Sequence, residues 1–215
     1  MINKKKNYLA FYGAGGCGRS LIPIAKEDYK NSIIIFVDDY NKSKKINGIQ
    51  IINFKQLISL SLKNNVKVIV SIADNNARLK IVKKLKKNKL NCAQLISNKS
   101  TIMDYVKISE GAVISPYVTL GSNVKIGKYF HANLYSYIEH DCEIGDFVTL
   151  APGAKCNGNV KIEDNVFVGS GAIIINGNKK RKITIGKNAI IGAGTVIIKN
   201  VKANSKIVGN PGRYI

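Results

Sequence analysis

The chain has 215 residues and a formal net charge of +21, a length that suits one large domain or a small domain joined to a repeat array. It contains no apolar run of the roughly 18 residues that a membrane-spanning helix needs, and its cysteines show neither a C-x-x-C pair nor zinc-ligand spacing, so we expect no membrane insertion and no metal site. Lysine is scattered along the chain with asparagine and isoleucine rather than gathered in a stripe, and we therefore expect no nucleic-acid partner.

The first half of the chain alternates short apolar strands with amphipathic helices. The start, Met1–Lys6, is basic, but the apolar stretch after it is too short for a signal peptide, so we expect a cytoplasmic protein. The predicted elements are, in chain order, strand Tyr8–Tyr12, helix Gly18–Tyr29, strand Ile33–Val37, helix Phe54–Leu62, strand Val66–Ser71, helix Asp74–Asn88 and strand Cys92–Ile96. Pro23 is expected in the early turns of its helix, where a missing N–H is best tolerated. This order predicts an α/β, Rossmann-like domain with a parallel sheet over residues 1–98.

The second half has a different period, because an aliphatic residue recurs at every sixth position. The series begins Ile102, Ile108, Ile114, Leu120, Ile126, and a second series of small or apolar residues follows it four positions later. Glycine often comes directly after the aliphatic residue, as in Leu120-Gly121, and we expect it to permit the backbone geometry of a corner. Three hexapeptides make one triangular coil, so the pattern predicts a parallel β-helix over residues 99–215.

The hexapeptide register breaks once. Eleven positions separate Ile174 from Ile185 instead of six, and the extra residues include the basic run Lys179-Lys180-Arg181-Lys182. We expect residues 176–182 to leave a corner as a loop, which is either a plain solvated loop or a functional one.

Two motifs in the first half carry chemistry. The glycine-rich loop Gly13–Gly18 follows a strand and opens a helix, which is the context of an anion-binding turn. Asp38 and Asp39 come at the end of the second strand, at the edge where parallel sheets bind ligands. Taken alone, these features fit a dinucleotide dehydrogenase as well as a nucleotide-binding domain.

A third motif, Ile138–Gly145, lies within the repeats and reads Ile-Glu-His-Asp-Cys-Glu-Ile-Gly, and Val208-Gly209-Asn210-Pro211 lies near the end. With the glycine-rich loop and the hexapeptides, these motifs resemble bacterial sugar acetyltransferases of the bacillosamine pathway and their relatives, which include perosamine acetyltransferases and sialic acid O-acetyltransferase-like proteins. The resemblance covers nearly the whole chain. It implies left-handed winding of the β-helix, a homotrimer, and acetyl-CoA as co-substrate with no metal.

The resemblance also implies catalytic residues. His140 would be the general base, because imidazole accepts a proton near neutral pH. Asp141 would accept the imidazole N–H, and Asn133 would line the same site. The other histidine, His131, is expected on the surface. Thr149 stands where relatives often carry a second histidine, half a coil away from His140, so the two could share a cleft only across a subunit interface.

The remaining implied contacts are with the two substrates. The substrate-binding residues are expected to be Gly15, Gly16, Cys17, Asp38, Asp39 and Ala73, with Cys17 in a place where relatives usually have histidine. The residues expected to bind acetyl-CoA are Thr149, Gly158, Ser170, Ala193 and Gly209. The loop 176–182 lies near the same C-terminal coils, which leaves open a contact with coenzyme A phosphates.

The sequence therefore predicts an acetyl-CoA-dependent N-acetyltransferase that acts on a nucleotide-linked amino sugar of the 4-amino-4,6-dideoxy type. An O-acetyltransferase for a sialic acid type of sugar and a non-catalytic binding solenoid are the alternatives. A metal-dependent carbonic anhydrase on the same fold needs three histidines, and the chain has two. The nucleotide of the acceptor, whether UDP, dTDP or GDP, stays open.

Overall fold

Residues 5–215 are described by a computed structural model, and they divide after Leu95 into an α/β unit and a β-helix unit that starts at Ile96. This boundary is close to the predicted division after residue 98. Residues 1–4, which belong to the basic start, lie outside the described part. Within the described residues, no helix combines the length and the apolar character that crossing a membrane requires.

The α/β unit is a twisted sheet flanked by three helices. Its elements are β1 Asn7–Tyr12, α1 Gly16–Asp28, β2 Ile33–Val37, β3 Lys45–Ile46, β4 Ile49–Ile52, α2 Phe54–Lys63, β5 Asn65–Val70, α3 Asn75–Lys87 and β6 Asn91–Cys92. The sheet order is β3-β4-β2-β1-β5-β6, and every pair is parallel except β3 with β4. The central strands β1, β2 and β5 bury their C-terminal halves, so the core lies under the edge where the glycine-rich loop emerges.

Two features of this unit differ from the prediction. The helix α1 begins at Gly16 rather than Gly18, so Pro23 lies well inside the helix and not in its early turns. The hairpin β3–β4 was not predicted, although its turn, Asn47-Gly48, has positive φ at both residues, the geometry that an Asn-Gly pair favours. The hairpin extends the sheet through β4, which pairs with the end of β2.

The second unit is a left-handed parallel β-helix of two- and three-residue strands. These are β7 Leu95–Ile96, β8 Thr101–Ile102, β9 Lys107–Ile108, β10 Val113–Ile114, β11 Thr119–Leu120, β12 Lys125–Ile126, β13 His131–Ala132, β14 Tyr137–Ile138, β15 Glu143–Ile144, β16 Thr149–Leu150, β17 Lys155–Cys156, β18 Val160–Ile162, β19 Phe167–Val168, β20 Ile173–Ile174, β21 Ile183–Ile185, β22 Ile190–Ile191, β23 Val196–Ile197, β24 Lys206–Val208 and β25 Arg213–Tyr214. A strand at one position pairs with the strand eighteen residues later, as Ile114 does with Ala132, so three hexapeptides form each coil. Both predicted inward series fill the prism axis.

The structure corrects the reason for glycine at the second position of each hexapeptide. Gly127 and Gly145 do not have positive φ. A Cβ on Gly127 would lie 2.5 Å from the Gly145 carbonyl carbon, and one on Gly145 would lie 2.7 Å from the Asp164 nitrogen. Glycine is therefore needed there because successive coils touch, whereas the left-handed conformation falls two positions later, as at Asn123 and Asp141.

The predicted loop leaves the coil between β20 and β21. The strands beyond it re-enter the stack with a shift of 23 residues instead of 18, as the pairing of Val160 with Ile183 shows. The loop turns on Asn178, whose side-chain oxygen accepts hydrogen bonds from the backbone nitrogens of Lys180 and Arg181 at 3.0 and 2.8 Å. The insertion therefore folds on itself and leaves the prism core continuous.

Candidate active site

His140 lies on the corner of the prism between β14 and β15. Its carbonyl oxygen accepts a hydrogen bond from Asn159 N of the next coil at 3.0 Å. Asp141 N donates to Ser122 O of the preceding coil at 3.1 Å. The backbone of the His140 corner is thus held on both sides by equivalent corners, and its side chains project outward from a rigid support.

The side chains of His140 and Asp141 form a pair. His140 Nδ1 lies 2.8 Å from Asp141 Oδ2, and the histidine side chain is 54% exposed. Asn123, one coil earlier, donates from Nδ2 to Asp141 Oδ1 at 3.3 Å. The hydrogen bond with His140 is the main reason that the pKa of Asp141 lies below its usual range, with Asn123 and the charge of Lys179 acting in the same direction. The carboxylate is therefore ionised, and it orients the imidazole through Nδ1.

Gly158, one coil beyond His140, lies directly beside the imidazole ring. A Cβ built on Gly158 would lie 2.6 Å from Nε2 of His140 and 2.7 Å from Cε1, and the three nearest atoms all belong to this ring. The structure thus brings Gly158 to the histidine. Its predicted contact with acetyl-CoA stays a prediction.

The thiol nearest the histidine points away from the site. Cys142 is fully buried in the prism, and its Sγ lies 3.2 Å from the carbonyl oxygen of Asn157. Its neighbour Cys156 is also buried, and burial together with the proximity of Cys142 raises the pKa of the Cys156 thiol. Neither thiol reaches the outer face, so neither is placed to form an acyl-enzyme beside His140.

The other residues predicted for the β-helix lie on different faces of the prism. Thr149 is buried in β16, where it pairs with His131 of β13. Asn133 follows β13 and donates from Nδ2 to Leu150 O at 3.0 Å. Ser170 and Ala193 lie on the corner that follows this sheet, one coil apart. Within one chain, these residues are therefore not gathered around His140.

His131 does not lie on the surface as predicted. It is 3% exposed and sits in β13 between Val113 and Thr149 of the neighbouring strands. The prediction rested on the outward position of His131 in its hexapeptide, and an outward position in a repeat does not by itself mean exposure to solvent. Its place beside Thr149 links it to the sheet that carries the predicted cofactor contacts.

The glycine-rich loop of the α/β unit divides into open and packed glycines. Gly15 caps α1, and nothing lies within 4 Å of a Cβ added to Gly15 or Gly16. A Cβ on Gly18 would collide with the carbonyl oxygen of Gly13. Ser71 fixes the same turn, because its hydroxyl donates to Gly13 O at 3.0 Å. The first N–H groups of α1 are thus accessible to an anion, while Gly18 lets the helix pack against the strand ends.

Asp38 organises the loops at the same edge of the sheet. Its Oδ2 accepts a hydrogen bond from Ala14 N at 3.2 Å, and its Oδ1 accepts from Tyr40 N and Asn41 N, each at 3.0 Å. Asp38 therefore joins the glycine-rich loop to the loop after β2. Its predicted contact with the nucleoside stays a prediction, because a carboxylate oxygen has further lone pairs to offer.

Asp39 is the centre of a network that the sequence did not reveal. Its Oδ2 lies 2.9 Å from Lys84 Nζ and accepts a hydrogen bond from the Tyr12 hydroxyl at 2.8 Å. Its Oδ1 accepts from Phe54 N at 2.7 Å, and Lys84 Nζ lies 3.9 Å from the centre of the Phe54 ring. Partial burial acts to raise the pKa of Asp39, but the hydrogen bonds from Lys84, Phe54 and Tyr12 outweigh it and lower that pKa. Both aspartates line a cleft of about 550 Å³ beside the glycine-rich loop.

A buried arginine lies behind the loop. Arg78 is fully buried, and its guanidinium donates to the carbonyl oxygens of Ile72 and Ala73 at 3.0 and 3.3 Å. Burial lowers the pKa of Arg78 to about 10. The same burial raises the pKa of the Cys17 thiol, although the nearby charge of Arg78 opposes the shift. Ala73 is therefore held by the arginine, and Cys17 is a neutral thiol at the start of α1.

The described residues include no group of three or more histidine, cysteine, aspartate or glutamate side chains that could hold a metal ion.

Hexapeptide coils with an outward, carboxylate-paired histidine on a corner characterise the hexapeptide-repeat acyltransferases, and fold and site together assign the chain to this class. Comparison with known proteins narrows the class. Residues 8–85 match the family model of the PglD N-terminal domain. The chain is 42% identical over 213 residues to the GDP-perosamine N-acetyltransferase of Escherichia coli O157:H7, an alignment that covers 96% of each protein.

Solved structures agree with the sequence comparison. WeeI from Acinetobacter baumannii AYE is 40% identical and superposes with a TM-score of 0.94 over 98% of this chain and 100% of that one. The acetyltransferase domain of PglB from Neisseria gonorrhoeae FA1090, solved in complex with acetyl coenzyme A, is 26% identical with a TM-score of 0.88 over 98% and 100% of the two chains. The chain therefore belongs to the bacterial sugar acetyltransferases of the hexapeptide-repeat family, and it is an acyltransferase.

Proposed function

We propose that this acyltransferase moves the acetyl group of acetyl-CoA to the amino group of a nucleotide-linked 4-amino-4,6-dideoxy sugar, with His140 as the general base. The observation that carries the proposal is the exposed imidazole of His140, which is paired through Nδ1 with Asp141 at 2.8 Å. The name of the 42% identical relative, a GDP-perosamine N-acetyltransferase, supports an amine acceptor on a nucleotide sugar.

The pairing suits direct transfer. With the Nδ1 proton donated to Asp141, the lone pair of Nε2 is available to take a proton from the attacking amine. The amine nitrogen forms a bond to the thioester carbonyl carbon, and the C–S bond then breaks to release the coenzyme A thiolate. The proton held at Nε2 returns to the thiolate. No enzyme-bound acyl intermediate is required, in keeping with the buried position of Cys142.

We further propose that each site is shared by two chains of a homotrimer. Asn133, Thr149, Ser170 and Ala193 are predicted to line the site of His140, yet they lie on other faces of the same prism. A neighbouring prism could present those faces to His140, and acetyl-CoA would lie in the groove between them. The small side chains at residues 170 and 193 would leave room for the pantetheine arm.

We assign the nucleotide of the acceptor to the cleft of the α/β unit. Gly15 and Gly16 present open N–H groups for the diphosphate. Asp38 and Asp39 lie at the cleft wall, where they would face the nucleoside. Among the three nucleotides considered, the relative in Escherichia coli favours GDP. A cytoplasmic location, where acetyl-CoA and sugar nucleotides are made, stays part of the proposal.

The direct test supplies the protein with acetyl-CoA and a panel of acceptors, and follows the release of coenzyme A thiol. The panel contains GDP-, UDP- and dTDP-linked 4-amino-4,6-dideoxy sugars, the matching 4-hydroxy sugars and free sialic acid. Acetylation of an amino sugar, confirmed by the mass of an amide that resists mild base, is the expected result. Transfer to the hydroxyl acceptors alone would show that the O-acetyltransferase reading is correct instead.

The shared site is tested by complementation. His140→Ala and Asn133→Ala are each expected to be nearly inactive alone. When the two are co-expressed, some interfaces of the mixed trimers carry wild-type His140 from one chain and wild-type Asn133 from the next. Activity should then recover to about a quarter of the wild-type value if chains mix at random. No recovery, in a mixture shown by mass spectrometry to contain both chains, would mean that each site is built from one chain.

A further inference from the structure

The loop 176–182 is anchored to the coil that supports the catalytic histidine. Gly177 N donates to the carbonyl oxygen of Gly158 at 2.9 Å, and Gly158 is the residue beside the His140 ring. A Cβ on Gly177 would collide with the carbonyl oxygen of Asn159, so the loop begins in close contact with this corner. The insertion in the hexapeptide register therefore emerges one coil away from Gly158 and two coils away from His140.

The base of the loop is also fixed on its other side. Lys182 Nζ lies 2.9 Å from Glu143 Oε1, on the strand that follows the His140 corner. This contact lowers the pKa of Glu143, so the pair stays charged well into the acid range. Together with the turn on Asn178, the two anchors hold the loop in a defined position.

The tip of the loop carries charge that the protein itself does not balance. Lys179, Lys180 and Arg181 are exposed, and none of the ion pairs among the described residues involves them. The charge of Lys179 reaches the site, because it contributes to the low pKa of Asp141. Three adjacent cations without acidic partners, held on a folded loop at the edge of a substrate site, form a binding surface for a phosphate group.

We infer that loop 176–182 is a phosphate-binding arm of the active site, in which Lys179, Lys180 and Arg181 hold a phosphate of a bound substrate beside the His140 corner. The inference rests on the proposed function, which brings two phosphorylated substrates to this corner. One is the nucleotide sugar with its diphosphate, and the other is acetyl-CoA. The chemistry recognised is the same in both, namely a phosphate ester or diphosphate anion.

The test replaces the three tip cations together, in Lys179→Gln, Lys180→Gln, Arg181→Gln, and measures kcat and KM for each substrate. We expect the fold and kcat to be kept and one KM to rise about ten-fold or more, because hydrogen bonds to charged groups are lost. The KM of the wild-type protein for that substrate should rise with salt more steeply than that of the variant. The variant Lys179→Arg, Lys180→Arg keeps the charges and should keep the wild-type KM.

The arms of the experiment identify the phosphate. A rise in the KM for the nucleotide sugar assigns the loop to the acceptor diphosphate. A rise in the KM for acetyl-CoA that disappears with S-acetylpantetheine, which has no phosphate, assigns it to the coenzyme. A matched triple variant, Lys30→Gln, Lys63→Gln, Lys87→Gln, removes three charges where α1 and the other two helices end, at the edge of the sheet away from the glycine-rich loop.

Two outcomes overturn the inference. The first is that both KM values of the loop variant stay within two-fold of wild type. The second is that the matched variant raises the same KM equally, which would make the effect one of net charge. In either case acetyl transfer itself would continue, so the failure of the arm is distinguishable from a failure of the proposed function.

Discussion

The imidazole of His140 rests against Gly158, one coil further along the β-helix, in space that a side chain at position 158 would need. A Cβ there would lie 2.6 Å from Nε2 and 2.7 Å from Cε1. Asp141 holds the opposite ring nitrogen at 2.8 Å. The orientation of the ring is therefore fixed from two sides, by a carboxylate on its own corner and by the absence of a side chain on the next.

Gly158→Ala should displace this ring and little else. The φ of Gly158 is not in the left-handed region, so alanine fits the backbone, and only ring atoms of His140 are among its nearest neighbours. We expect kcat to fall by up to about 100-fold, since small misplacements of a reacting group have effects of that size. The melting temperature should change little. Both are measured on purified protein with acetyl-CoA and the amino-sugar acceptor.

The control for this prediction is the double variant. In a His140→Ala background, Gly158→Ala should cause no further loss, because the ring that it displaces is gone. A higher KM for acetyl-CoA in both backgrounds would instead show that Gly158 acts through the coenzyme, as the family resemblance implies.

His140→Ala should lower kcat by about 100-fold or more, because general-base assistance typically contributes that much. The side chain is half exposed, so the fold and the oligomeric state should be unchanged. Asp141→Asn, which tolerates the same left-handed backbone, should fall between this variant and the wild type. The comparison is His131→Ala, which empties a buried site and should lower the melting temperature more than kcat. Equal loss of kcat from both histidine variants would contradict the role given to His140.

The two ends of the glycine-rich loop should respond to alanine in opposite ways. Gly18→Ala places a methyl group against the Gly13 carbonyl oxygen and should destabilise the α/β unit by about 1–3 kcal/mol. Gly16→Ala meets nothing within 4 Å and improves helix propensity, so the melting temperature should stay the same or rise. If the diphosphate approaches this helix start, Gly16→Ala should raise the KM for the sugar nucleotide and leave that for acetyl-CoA unchanged. An unchanged KM for both substrates would place the diphosphate elsewhere.

The network of Asp39 predicts a pH-dependent stability. Because the folded-state pKa of Asp39 is lowered, its contribution is complete above the unfolded pKa of about 3.9 and is lost as the pH falls through the lower folded value. Lys84→Met removes the cation but keeps an apolar chain over Phe54. The variant should melt below wild type at pH 7, and the difference should shrink in acid. Thermal melts from pH 7 to pH 3 measure it, with Lys83→Met as the exposed control; a constant difference would show that Asp39 is not responsible.

The β-helix could be predicted from the sequence because its signal is periodic. A residue that recurs every sixth position must face the same way in every coil, so Ile114 and Leu120 identify the prism axis without any long-range information. The family motif likewise identifies His140 and Asp141, since adjacent residues on one corner stay close whatever the rest of the chain does. Their contacts with Asn123 and Gly158 could have been found by counting eighteen residues in either direction.

The α/β site was harder to predict because its contacts join distant parts of the chain. The pairing of Asp39 with Lys84 and the burial of Arg78 depend on how α3 packs, which no local pattern encodes. His131 shows the limit of the periodic signal, since the repeat gives the direction of a side chain and not what covers it. The role of glycine at the second hexapeptide position was misassigned for the same reason, because the atom that excludes a Cβ belongs to another coil.

The shift from 18 to 23 residues between paired strands has a consequence for how such proteins diversify. A coil accepts extra residues at a corner and resumes its register at the next rung, so loop length and core packing are independent variables. New substrate contacts can therefore be acquired by lengthening one corner, without any compensating change in the aliphatic ladder. The corner between β20 and β21 is where loops exchanged between members of this family would transfer substrate preference while leaving the scaffold intact.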